Sequence, residues 1–211
     1  MFEATLETLY MSFLSLLISF VIALPLGSFV CETRPEGMMP NRILNIILNR
    51  LIDVGRSIPF VLLVVFLFPF TRVIVGSAIG TNAMVVPLVI TAIPFEARLI
   101  EEILSCVPKE TVEAASLDGA NKIQIIILIK WGSKVPYIIN SIGISLINII
   151  GQSAMAGVVG AGGLGNYAIV YGFQRFNWPL IAYSVLIIIM IVVVIQAVTN
   201  ILVRKTLRGT E

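Results

Sequence analysis

Residues 113–136, EAASLDGANKIQIIILIKWGSKVP, form a long charged and helical stretch that divides an otherwise apolar chain. Outward from it in both directions the sequence turns greasy. Of 211 residues 58% are apolar and only 12% charged, about half the charged fraction of soluble domains. Mean hydropathy is +1.01. Uninterrupted apolar runs of about 20 residues read as membrane-crossing helices. Five are expected, at 9–30, 57–75, 83–104, 135–159 and 179–203, making one all-α integral membrane domain over 1–211 with a water-facing segment at about 105–134. The third run turns charged at Glu96, so its lower part is expected to emerge into water.

Composition removes several classes. The chain has no histidine, which excludes a histidine-based metal site or catalytic triad. Cys31 and Cys106 are too few and too isolated for a disulfide framework. Glu3 and Glu7 precede the first apolar run with no basic residue, so that run reads as a retained helix rather than a cleaved signal.

Basic residues collect on the cytoplasmic side of membrane proteins. Arg34, Arg42, Arg50 and Arg56 fall between the first two runs. Arg98, Lys109, Lys122, Lys130 and Lys134 fall between the third and fourth, and Arg204, Lys205 and Arg208 follow the fifth. Arg72 and Arg175 are left for the other face. This bias places the amino terminus outside and the carboxyl terminus in the cytosol. Residues 43–52, ILNIILNRLI, either lie in the interface or extend the second span.

Within the cytosolic segment, Pro108 suits the opening of a helix and Gly119 its end. Residues 123–131 begin another, so two short helices joined at a glycine are expected to form a compact knob. Ala114 and Ala115 are small enough for a partner surface to approach the backbone. Glu113 offers a carboxylate to a basic groove, and Gly119 permits a bend that other residues make only with strain.

The pattern E-A-A, three residues, G, nine residues, I is met by Glu113-Ala114-Ala115, Gly119 and Ile129. It resembles the permease subunits of ATP-binding-cassette importers. The family continues I-x-L-P, whereas this chain has Ile129-Lys130-Trp131-Gly132 and a proline only at Pro136. A second stretch, Ser153-Ala154-Met155-Ala156-Gly157 through Gly165 and on to Tyr171-Gly172-Phe173-Gln174-Arg175-Phe176-Asn177, is similar to the methionine-uptake subgroup. The resemblance implies a type I importer permease fold with five transmembrane helices per subunit. It implies a homodimeric pore in a bacterial inner membrane and an external methionine-binding protein. Two ATPase subunits would use ATP and Mg, and would grip a coupling helix at Glu113, Ala114, Ala115, Asp118 and Gly119. No cofactor bound by this chain and no nucleic-acid partner are expected.

Gly160-Ala161-Gly162-Gly163-Leu164-Gly165 satisfies G-x-G-x-x-G, but a dinucleotide site needs a preceding strand in a soluble unit. No phosphate-binding G-x4-G-K-[ST] loop occurs either. The fourth span carries Ser141, Ser145, Asn148 and Gln152 on one helical face. They line a pathway, or they hold the bundle together by interhelical hydrogen bonds. Met155, among small neighbours, is either a hydrophobic gate or ordinary packing at a helix crossing. Glu96, Arg98, Glu101 and Glu102 read as a solvated stalk, not a proton relay. Arg204, Lys205 and Arg208 read as headgroup anchors. Rival readings are an ATP-independent secondary transporter, a membrane-embedded enzyme, or an importer of another amino acid, a short peptide or an osmolyte.

Overall fold

The computed structural model describes residues 1–208. Helices follow one another without a strand among the described residues: α1 (Phe2–Glu32), α2 (Arg42–Ser57), α3 (Phe60–Val75), α4 (Thr81–Ser105), α5 (Lys109–Leu117), α6 (Lys122–Gln124), α7 (Gly132–Ala156), α8 (Gly163–Tyr167) and α9 (Trp178–Arg208). Four continuous helices are long and apolar enough to cross a bilayer: Phe2–Glu32, Thr81–Ser105, Lys122–Val159 and Trp178–Arg208. The remaining expected span, the second at 57–75, belongs to a broken pair, α2 and α3, bent by 103°. Asn41 caps α2 by accepting from the Leu44 N–H at 3.1 Å, and Pro59 turns the corner into α3. Residues 43–52 therefore lie across the bundle end rather than extending α3. At 16 residues, α3 is about 24 Å long, short of a hydrocarbon core of about 30 Å.

The fourth span corrects the expected knob. A capping box pairs Asn121 with Gln124, and the helix started there never stops. It passes through a π-helical stretch at Ile125–Trp131 into α7. The second short helix is thus the first turns of the span itself, which begins near residue 122 rather than 135.

In lipid, helices gain little from hydrophobic burial against one another, so close approach and polar contacts must hold them. α1 supplies both. Ser15, Ser19, Ala23, Gly27 and Cys31 recur every fourth residue and all are buried. A Cβ on Gly27 would lie 2.4 Å from the Ala97 carbonyl oxygen, so at this point of the stripe the α1 backbone lies against the α4 backbone. Met11, Leu88, Ile149 and Ile150 fill the centre where α1, α4 and α7 meet. α9 stands at the edge with Ser184 its only buried described residue. Thr199 fills the space a Cβ on Gly143 would need.

Candidate functional site

α5 stands clear of the bundle. None of its residues is buried, and Leu117 is 89% exposed. Val107 is tucked in and Pro108 precedes the first helical residue. At the other end Gly119 donates to the Ser116 carbonyl and Ala120 to the Ala115 carbonyl, both at 3.1 Å. That paired closure requires the left-handed conformation, and Gly119 has φ +87°. Nothing lies within 4 Å of a Cβ at this position, so the turn itself, not crowding, demands glycine. Glu113, Ala114 and Asp118 are exposed and Ala115 half-buried. Val112, Glu113 and Leu117 face Arg34, Glu36 and Met38 across a cavity of about 930 Å³.

The stalk reading is overturned. Glu96 and Glu101 are fully buried; only Glu102 of the three acids is exposed. Glu96 Oε1 accepts from the Ser19 hydroxyl at 3.0 Å. Glu101 accepts from Arg34 at 2.7 Å and from Arg98 at 2.6 Å. Arg98 also reaches Asp53 at 2.9 Å and the Asn49 side-chain oxygen at 2.8 Å. Glu101 is compensated by two guanidinium groups, whereas Glu96 has the Ser19 hydroxyl on one oxygen and leaves Oε2 buried without a partner among the described residues. A second buried ion pair joins Lys130, beyond α5, to Glu32 at the end of α1.

The polar face of α7 turns inward. Ser141 and Ser145 are buried within the subunit, and Ser141 donates to the Ile138 carbonyl at 2.8 Å. Half-buried Gln152 donates to Asn148 Oδ1 at 3.0 Å and accepts from Thr91 of α4 at 2.8 Å. Met155 points the other way, 55% exposed. Gly151, one turn before it, is also exposed.

Past α7 the glycine run makes a tight turn instead of a nucleotide loop. Gly160, Gly162 and Gly163 have φ of +81°, +82° and +74°. The Gly163 N–H donates to Glu7 Oε2 at 2.6 Å and the Leu164 N–H to Thr8 Oγ1 at 2.9 Å. Glu7 and Glu32 lie 25 residues apart on α1, about 38 Å along the helix. The glycine turn and α5 are therefore at opposite ends of the molecule.

An exposed short helix at one end, a bundle of this topology and an E-A-A…G signature can be compared with known proteins. The profile of the family described as binding-protein-dependent transport system inner membrane component matches residues 23–209. The chain belongs to this family. A probable D-methionine transport system permease of Vibrio cholerae is 45% identical over 96% of this chain and 90% of its own length. The corresponding Pasteurella multocida protein is 44% identical over 92% and 88%. An inward-facing methionine ABC transporter structure aligns with TM-score 0.93 and 38% identity, covering 95% of this chain and 93% of that one. An amino acid ABC transporter at TM-score 0.77 and 17% identity, over 97% and 92%, shares the fold.

The chain is accordingly the membrane component of a transport system, with the fold of type I ABC importer permeases. Buried Glu96 by itself would have suited a secondary transporter; family membership decides otherwise. Two features escaped the sequence reading although their signals were present. Leu117 is a lone large apolar residue in a charged helix, and Ser15-Ser19-Ala23-Gly27 is a strict four-residue repeat of small side chains.

Proposed function

We propose that two copies of this chain form the pathway of an ATP-driven methionine importer, fed by an external binding protein and driven by two ATPase subunits. The amino terminus lies outside and α5 docks on the ATPase from the cytosolic side. The observation that carries the reading is a nine-residue helix with no buried residue, closed by a glycine turn and bearing Glu113-Ala114-Ala115. A short helix that buries no side chain fully gains much of its order from a partner or from its caps. The D-methionine permeases of similar sequence support the substrate.

Closure of the ATPase pair around ATP and Mg would draw the two α5 helices together and open the bundle outward. Release after hydrolysis would reopen it inward. Each state must contact the partner differently, since only differential interaction shifts the equilibrium. Glu113→Arg tests the docking role. The variant is expected to lose co-purification with the cognate ATPase and to lose transport-stimulated ATP hydrolysis; wild-type assembly and coupling would overturn it.

Met155 is the gate in this reading. Its thioether is exposed, and Gly151 below it lets a second copy approach closely. Gln152, bonded to Asn148 and to Thr91, stiffens the wall behind it, and Ser141 and Ser145 continue that face of α7 further along the pathway. Met155→Ala is expected to raise substrate leak through reconstituted transporter and basal ATP hydrolysis by several-fold. Leak and hydrolysis equal to wild type would count against a gate here.

A further inference from the structure

The cytosolic element is joined covalently to α4 through Pro108 and to α7 through the π-helical stretch, but α1 has no such link. It is attached instead by side chains. Lys130 and Trp131 are consecutive, and both reach α1. The Lys130 ammonium pairs with Glu32 Oε1, and the Trp131 indole N–H donates to the Ser28 hydroxyl at 2.9 Å. Ser28 and Glu32 are one turn apart on α1 and therefore share a face. The wide π turn at Ile125–Trp131 lets two neighbouring side chains serve one helix face; such turns recur at functional sites.

Glu32 is itself held. Its Oε2 accepts from the Met38 N–H at 3.1 Å and its carbonyl from the Met39 N–H at 3.0 Å. Neighbouring Arg34 pairs with Glu101 of α4. Movement of the cytosolic element thus meets a fixed point, not a loose side chain. From there α1 is one continuous helix to its other end, where Glu7 and Thr8 hold the Gly163 and Leu164 N–H groups. Gly165 in turn sits against the Ala154 carbonyl, beside Met155.

We propose that Lys130–Glu32 and Trp131–Ser28 form a clasp that passes displacement of α5 into α1, making Glu32 and Lys130 positioning residues for coupling ATP hydrolysis to transport. The proposal rests on α5 being the ATPase-docking element, and on α1 acting as a rod held at both ends. Removing one charge alone would strand its partner in the interior, so the informative variant removes both.

The experiment compares wild type, Glu32→Gln/Lys130→Met and Trp131→Phe, each reconstituted in proteoliposomes with the ATPase and binding protein. It reads substrate transported per ATP hydrolysed, alongside ATPase co-purification and melting temperature. Residues that carry coupling shift it by about 0.5–2 kcal/mol, roughly two- to thirty-fold at about 1.4 kcal/mol per decade. The double variant is expected to keep the ATPase and its basal hydrolysis while transport per ATP falls in that range. Trp131→Phe, which deletes one hydrogen bond, should lower the ratio by a smaller factor. An unchanged ratio in the folded double variant overturns the proposal. So does loss of the ATPase from a variant of normal melting temperature, which would make these residues part of the dock. If the double variant does not accumulate, an unchanged ratio in Trp131→Phe overturns it instead. Failure of the docking reading is seen separately, as retained ATPase assembly in Glu113→Arg.

Discussion

Leu117→Asp is expected to abolish stable association with the ATPase subunit while leaving the permease folded. At 89% exposed, Leu117 contributes almost no buried area within the chain, yet it sits on the one helix free of the bundle. Burying a leucine side chain is worth about 1.5–3 kcal/mol. At about 1.4 kcal/mol per decade, truncation to alanine should weaken docking roughly ten- to hundred-fold. Aspartate adds the cost of placing a charge in an apolar groove. Because Leu117 itself is almost fully exposed, the substitution should change fold stability by no more than about 0.5 kcal/mol. Pull-down with the cognate ATPase and thermal melting of the detergent-solubilised permease separate the two effects. Wild-type recovery of the ATPase with Leu117→Asp would show that apolar anchoring at this helix is not what holds the complex.

What was legible in the sequence follows from which interactions are local. Uncharged runs of sufficient length set the apolar helices, and Gly119 after a short charged helical segment marked the end of α5. Both depend on residues within a turn or two of one another. The corner at Pro59 was visible as a proline, but its 103° angle depends on how α2 packs over Pro94 and the end of α1. Glu96 and Glu101 were misread because charge at the end of an apolar run ordinarily means water. Here Ser19, Arg34 and Arg98 supply the partners that permit burial. Two of those three come from elements more than 60 residues away in sequence, so no window along the chain contains the compensation. The inward turn of Ser141, Ser145, Asn148 and Gln152 has the same origin. A polar face on a helix specifies only that it avoids lipid, and the choice between a pathway and a neighbouring helix belongs to the packing. Thr91 takes Gln152 from the far side.

Gly165→Ala is expected to be among the most damaging single methyl additions at the described glycines. The added carbon would lie 2.1 Å from the Ala154 carbonyl oxygen and 2.7 Å from its carbon. These are backbone atoms, so no rotamer change can relieve the overlap. Gly157 meets the same pair of segments from the other side, with a Cβ 2.1 Å from the Asn166 nitrogen. α8 would have to lift away from the end of α7. Overpacking of this kind costs about 1–3 kcal/mol. Lifting α8 also loosens the Gly163 N–H from the Glu7 carboxylate, a bond to a charged group worth about 1.5–3 kcal/mol. Together these reach much of the roughly 5–15 kcal/mol that separates folded from unfolded domains. Gly132→Ala is the control: a Cβ there meets nothing within 4 Å, and alanine favours the helix by up to about 1 kcal/mol. Membrane yield and melting temperature should fall sharply for Gly165→Ala and hold or rise for Gly132→Ala. Equal behaviour of the two would mean that the glycine turn yields readily, and that α8 is not fixed against α7 beside Met155.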